Sequence, residues 1–237
     1  MFEENRAYAI LPTITTVFRQ VLFVSRPPMA FAETIHKTDR DALHWQAYCS
    51  NRNIPLKRIA YLTVKANETN CSQLRELIDS KNLRLGIPID LFDQVMHHTK
   101  DMTIEADKRE FYNTLIGQIE NGQLERLFEL LLASGYRIFV ASDHGNIAGI
   151  GDGITPPKAL IESFTRRTVL FDHPALAQES VNQNDLRFFH TKSLPPDYCP
   201  VNQTGNRLFA SKDSVQLSHG GFSIEELIVP FVEVKHS

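Results

Sequence analysis

Cysteine is scarce in this chain: three in 237 residues, Cys49, Cys71 and Cys199, none of them in a C-x-x-C pair. An odd and scattered set excludes a disulfide framework and a cysteine-built zinc centre. An excess of either charge is missing too. With 25 Lys and Arg against 28 Asp and Glu the net charge is −3, and there is no basic stripe of the kind general DNA binding needs. No apolar run approaches the ~20 residues of a membrane-spanning helix. The opening Met-Phe-Glu-Glu-Asn-Arg starts acidic and has no apolar core, so it does not read as a secretory signal and the expected location is cytoplasmic. Repeats and low-complexity tracts are absent. The glycine-rich stretch from Ile147 to Gly153 lacks a Lys-Ser/Thr pair and a following helix, which excludes a phosphate-binding P-loop.

What is present describes a globular α/β protein. Apolar residues at 42% and charged residues at 22% suit one large domain, with or without a small subdomain. Ala7–Leu11 reads as a short strand closed by Pro12, and Val17–Val24 as a helix starting after Thr13-Ile14-Thr15-Thr16. Further helices are expected over Asp39–Cys49 and over Cys71–Ser80, where Leu74, Leu77 and Ile78 share a face. The longest helical stretch runs from Thr103 to Ser134, with Asn121-Gly122 placed to split it. Strands are expected at Arg58–Lys65, Leu83–Phe92, Tyr136–Val140, Thr168–Phe171 and Ile228–Val234. His173–Asn206 reads as irregular. Ser223 and Glu226 have capping-box spacing. The strand–helix–strand order leading to Val140 predicts a βαβ crossover.

Candidate chemistry gathers at strand ends. Tyr136–Val140 runs into Ser142, Asp143, His144 and Gly145. Adjacent strand residues point to opposite faces, so Asp143 and His144 can act together only where the strand ends and bends. Gly145 supplies backbone freedom for that bend. A carboxylate and an imidazole there lie where open α/β folds bind ligands, and both ligate zinc or manganese. The alternative is a turn with a capping aspartate and a solvated histidine. Asp93 and His97, four residues apart, share a helix face and either bind one metal or pair with each other. His219 precedes two glycines at a third strand end. A hydroxyl from Thr13, Thr15 or Thr16 sits at a helix N-terminus, where free N–H groups favour an anion and where threonine also serves as a simple cap. Together these groups fit two divalent ions bridged by an attacking oxygen in phosphoryl transfer.

Over nearly its whole length the chain resembles the PglZ domain, a branch of the alkaline phosphatase superfamily. Pro12-Thr13-Ile14-Thr15-Thr16-Val-Phe-Arg19 with Leu22-Phe23 is similar to the nucleophile segment, Thr15 matching the nucleophilic threonine. Asp93-x-x-x-His97 and Ser142-Asp143-His144-Gly145-Asn146 resemble the two Asp/His ligand pairs. His219-Gly-Gly-Phe-Ser-Ile-Glu-Glu-Leu-Ile-Val-Pro resembles the family's ending and is the most specific piece.

The resemblance implies one alkaline-phosphatase-like domain over residues 1–237, with a central, mostly parallel sheet flanked by helices. It implies a metal-dependent phosphoesterase or phosphodiesterase carrying two divalent ions, zinc or else manganese. One ion would be held by Asp93, His97 and His219. The other would be held by Asp143, His144 and Thr15 with an aspartate from the first strand. The implied substrate is a phosphate ester or nucleotide, with Arg19 and Arg166 gripping its phosphate oxygens. The implied setting is bacterial phage defence of the BREX class, or signalling, with other defence proteins as partners. A sulfatase would need a modified Cys or Ser in place of Thr15. Two departures qualify the match. Fourteen residues precede Thr15, and their only acidic members are Glu3 and Glu4, so the first strand and its aspartate have no counterpart. A truncated, non-catalytic scaffold or interaction module is therefore the alternative expectation. In Phe23-Val-Ser-Arg26, the family carries a glycine near Ser25.

Overall fold

A computed structural model describes residues 2–64, 71–91, 104–156, 163–183 and 185–235. They form a mixed α/β structure. Strand β1 (Phe2–Tyr8) leads to helix α1 (Thr15–Val24), and α2 (Asp41–Ser50) packs against α1. Strands β2 (Ile59–Tyr61) and β3 (Arg84–Gly86) flank α3 (Cys71–Asp79). The long helical stretch divides into α4 (Ile104–Glu120) and α5 (Gln123–Ala133), with Gly122 at φ 73° making the break where Asn121-Gly122 predicted it. Then come β4 (Ile138–Ala141), β5 (Ile147–Gly151), β6 (Ser163–Phe164) and β7 (Thr168–Phe171). Helix α6 (Pro174–Gln183) precedes β8 (Leu186–Phe188), β9 (Cys199–Gln203), β10 (Arg207–Leu208) and β11 (Val215–Ser218). The one-turn helix α7 (Ile224–Leu227) runs directly into β12 (Ile228–Val234).

The expected central parallel sheet is not what these residues form. Strand β4 pairs antiparallel with β12, which pairs antiparallel with β1. The sheet β6-β7-β9-β8 is antiparallel throughout. Among the described strand pairs, β2 with β3 and β10 with β5 are the parallel ones. Apolar periodicity marks which residues are strands, but the partner of each strand is chosen by packing far away in sequence. Here Leu127 and Leu131 of α5 pack on Ile138 while β4 takes β12 as its antiparallel partner, so the predicted crossover does not close a parallel pair. β1 also starts earlier than Ala7, because β12 supplies ladder partners for the exposed Glu3, Glu4, Asn5 and Arg6. The stretch His173–Asn206 holds α6, β8 and β9, and the glycine-rich stretch holds β5. Gly149 permits a close backbone approach there, since a Cβ would stand 2.6 Å from the Asn206 carbonyl oxygen.

Two anchors position α1. Val17 enters a cluster with Phe31, Ile35, Leu170, Leu194 and Tyr198, while Phe18 packs with Ala9 and Val229. Burying each such side chain is worth roughly 1.5–3 kcal/mol. Neighbouring helix residues project about 100° apart, so the two contacts together set the rotation of the helix and hence the direction of Thr15. Strand β7 is buried on both faces: Leu170 meets α1, and Val169 and Phe171 meet Ala177, Leu186 and Val201. Helix α1 ends at Ser25, at φ 56° and ψ 38°, the left-handed conformation glycine adopts without strain. A glycine, which the resemblance places near this position, would take up that conformation freely. Among the described residues no helix is long and apolar enough to cross a membrane.

Candidate functional site

The Asp143–His144 pair lies, as expected, where β4 ends and the chain bends. Asp143 Oδ1 accepts the His144 N–H at 3.1 Å, and the Ser142 hydroxyl donates to the His144 carbonyl. The reason for Gly145 differs from the one its sequence suggested. It is not among the residues with positive φ; a Cβ would overlap the Glu225 carbonyl oxygen, and the Gly145 N–H donates to the Glu226 carbonyl at 3.0 Å. Close approach to α7, not an unusual backbone angle, requires glycine here.

The His219-Gly220-Gly221 segment is stitched to the residue two before Thr15. The fully buried Thr13 hydroxyl donates to the Gly221 carbonyl at 2.7 Å and accepts the Gly220 N–H at 3.1 Å. Thr168, at the start of β7, donates to the Gly220 carbonyl. Gly220 has φ 112°, and a Cβ would sit 2.5 Å from Thr165 Oγ1, so a side chain is excluded on both counts. At Gly221 a Cβ would stand 2.8 Å from both Arg167 Nη2 and Glu226 Oε2.

These two segments bring the imidazoles of His144 and His219 face to face, with ring centroids 3.8 Å apart and planes 12° from parallel. Each ring has its Nδ1 against a backbone carbonyl, His144 on Gly145 O and His219 on Thr13 O, both at 3.1 Å. A carbonyl can only accept, so each Nδ1 carries the proton and, in the neutral ring, each Nε2 presents a lone pair. Thr15 Oγ1 lies 3.0 Å from His144 Nε2, so the hydroxyl donates to it. Thr15 is the first residue of α1, whose N-terminus has no side-chain cap; the threonines here do not act as caps. The first N–H groups of the helix therefore face the same region.

Histidines whose Nδ1–H is held by a backbone carbonyl share the outer-shell arrangement of metal-ligating imidazoles. Two donors each 2.0–2.1 Å from a tetrahedral zinc ion stand about 3.3 Å apart. Thr15 Oγ1 and Asp143 Oδ2, at 3.0 and 3.6 Å from His144 Nε2, bracket that spacing, and hydroxyl, carboxylate and imidazole are donor types that suit a divalent cation. Among the described residues no group of three or more His, Cys, Asp or Glu side chains has metal-holding geometry. Asp93 and His97 lie outside the described residues. Among the described residues, Asp90 Oδ1 and Asn146 Oδ1 are buried oxygens without a hydrogen-bond partner, and they flank the two predicted ligand pairs in sequence.

The predicted phosphate-gripping arginines are placed differently. Arg19 is 23% exposed and committed to Asp41, with Nη2 at 2.6 Å and Nε at 2.8 Å from Asp41 Oδ2. Burial pushes the Asp41 carboxyl up from its ordinary value, and Arg19 opposes that shift. Arg166 is exposed, whereas its neighbour Arg167 is buried and paired with Glu226. The sequence marked Thr13 and Glu226 as capping residues and gave Arg167 no role; their joint hold on the His219 segment was not foreseen. The visible signals were an Arg directly before a strand with three apolar residues in a row and the Glu of the capping box, which reaches back to the Ser223 N–H at 3.0 Å.

Comparison with known families finds one described as the BREX system PglZ alkaline phosphatase-like domain, whose model matches residues 1–234. No curated protein matches the chain.

Proposed function

The chain belongs to the PglZ family of alkaline phosphatase-like BREX domains, and from that premise we propose that it is a metal-dependent phosphoesterase or phosphodiesterase acting in phage defence. One observation carries this reading: the Thr15 hydroxyl, at an uncapped helix N-terminus, stands 3.0 Å from the Nε2 of a histidine stacked on a second histidine.

In this reading residues 1–237 act as one domain. Asp143, His144 and Thr15 hold one divalent ion, zinc or manganese, and His219 with Asp93 and His97 holds a second; Asp90 is a further candidate for that set. When bound, such ions supply positive charge that stabilises the nucleophilic oxygen and the transferring phosphoryl group. The chain's own part is positioning. Val17 and Phe18 fix the rotation of α1, so that Thr15 Oγ1 meets a phosphorus brought against the first turn. The free N–H groups of that turn bind phosphate oxygens. Attack forms an Oγ1–phosphorus bond and breaks the bond to the leaving alcohol, which departs with the hydroxyl proton. Water then cleaves the phosphothreonine and restores the hydroxyl. The committed Arg19 holds α1 against α2, and Arg166 is the better placed of the two to meet a phosphate from solvent.

Metal content by elemental analysis, run beside hydrolysis of bis-p-nitrophenyl phosphate, tests the proposal. Expected are about two ions per chain, turnover lost in Thr15→Ala, and lowered metal content in His144→Ala and His219→Ala. Unchanged metal content in both histidine variants would sink the ligand assignment. A folded protein with neither metal nor turnover would be an interaction module in a defence complex.

A further inference from the structure

We propose that the buried ion pair Arg167–Glu226 is a positioning pair that sets the His219 and His144 rings against each other. Both side chains are closed to solvent, 1% and 0% exposed, with Nη2 and Oε2 3.2 Å apart. The Glu226 carboxylate also accepts the Gly221 N–H at 2.7 Å and the Ser223 N–H at 3.0 Å, and its main-chain carbonyl accepts the Gly145 N–H at 3.0 Å. One residue therefore holds the His219 segment through its side chain and the Asp143–His144 segment through its backbone. Arg167 Nη1 is itself fixed by the Arg207 carbonyl at 2.6 Å, so the carboxylate is tied to the end of β10 as well.

Stability alone is a poor explanation for this arrangement. Two charges taken out of water lose solvation comparable to what their attraction returns, and apolar replacements of such pairs are often neutral or better. What apolar side chains cannot do is accept two N–H groups from the turn that follows a ligand and fix where it lies. Gly220 and Gly221 leave no side chain to hold that turn by packing, and at Gly221 the Arg167–Glu226 pair occupies the space. The carboxylate takes over the role.

The inference rests on reading His144 and His219 as ligands, and the test separates the two ideas. Glu226→Asp keeps both charges and shortens the reach to Gly221; Glu226→Gln keeps the reach and removes the charge. Imidazole resonances of the metal-free full chain would be recorded for each, followed by titration with Co²⁺ read by its visible absorption. Expected are shifted ring signals for both His219 and His144, with the exposed His173 unmoved, and Co²⁺ affinity lowered about 10–100-fold, the usual cost of losing an outer-shell partner. His144 is the second reporter, joined to the substituted residue through the His219 ring and through the Gly145 N–H on the Glu226 carbonyl. Unmoved ring signals with a lowered melting temperature would overturn the proposal and leave a purely structural pair. If Glu226→Gln does not fold, the charge-conserving Glu226→Asp decides. A wild-type chain that takes up no Co²⁺ would defeat the phosphoesterase reading, while the ring signals would still decide the positioning role.

Discussion

Arg167–Glu226 and Arg137–Glu233 are the same two residue types in opposite surroundings. The first is closed to solvent, and the Glu226 carboxylate meets the guanidinium and two backbone N–H groups. The second joins the approach to β4 with β12, its arginine 72% exposed, and shares Glu233 with Lys235, which also reaches Glu3. In water the outer pair is screened and its ions can be resolvated. The inner pair has no such recourse, so loss of one member leaves a charge that nothing else neutralises. Position, more than chemical type, decides what an Arg–Glu pair does.

Arg167→Met is the largest test of that contrast. It strands the Glu226 carboxylate and should cost about 3–5 kcal/mol in urea unfolding; a loss below about 1 kcal/mol, the level of a surface pair, would erase the difference between the two regions. Gly145→Ala comes next. Its Cβ would overlap the Glu225 carbonyl oxygen, and overpacking of this kind costs about 1–3 kcal/mol, with metal uptake falling as the Asp143–His144 segment shifts. Ser25→Gly, at the far end of α1, should raise stability by about 1 kcal/mol by relieving the left-handed serine, leaving the histidine ring signals unchanged. A shift in those signals would mean that strain in α1 reaches the site.

The smallest effect belongs to the outer pair. Hydrogen bonding from Arg137 holds the Glu233 carboxyl below its ordinary value. A carboxyl depressed in the folded state contributes stability above its unfolded pKa, and that contribution is lost as pH falls through the folded value. Glu233→Gln should therefore flatten the acid limb of the stability profile slightly, and added salt should shrink the difference between variant and wild type. A salt-insensitive effect would place this pair with the buried one.

The placement of the candidate residues within their elements was legible wherever it depends on local order. Asp143-His144-Gly145 at a strand end, Thr15 at a helix start, the break at Asn121-Gly122 and the Ser223–Glu226 spacing all follow from patterns a few residues long. Arg166 was preferred to Arg167 because nothing local separates two adjacent arginines; burial does, and burial depends on β10 and α7 arriving from forty and more residues away. Arg19 looked free for phosphate because Asp41 lies in another helix.

Residue order by itself determined the family and most of the helices, because helix periodicity and cap signals are written in neighbouring residues. Tertiary structure alone decided the antiparallel pairing of β4 with β12, the stacking of His144 on His219, and the seating of Glu226 beneath both segments. Each of these joins segments remote in sequence, and such contacts are selected by packing and by the need to satisfy every buried polar group at once.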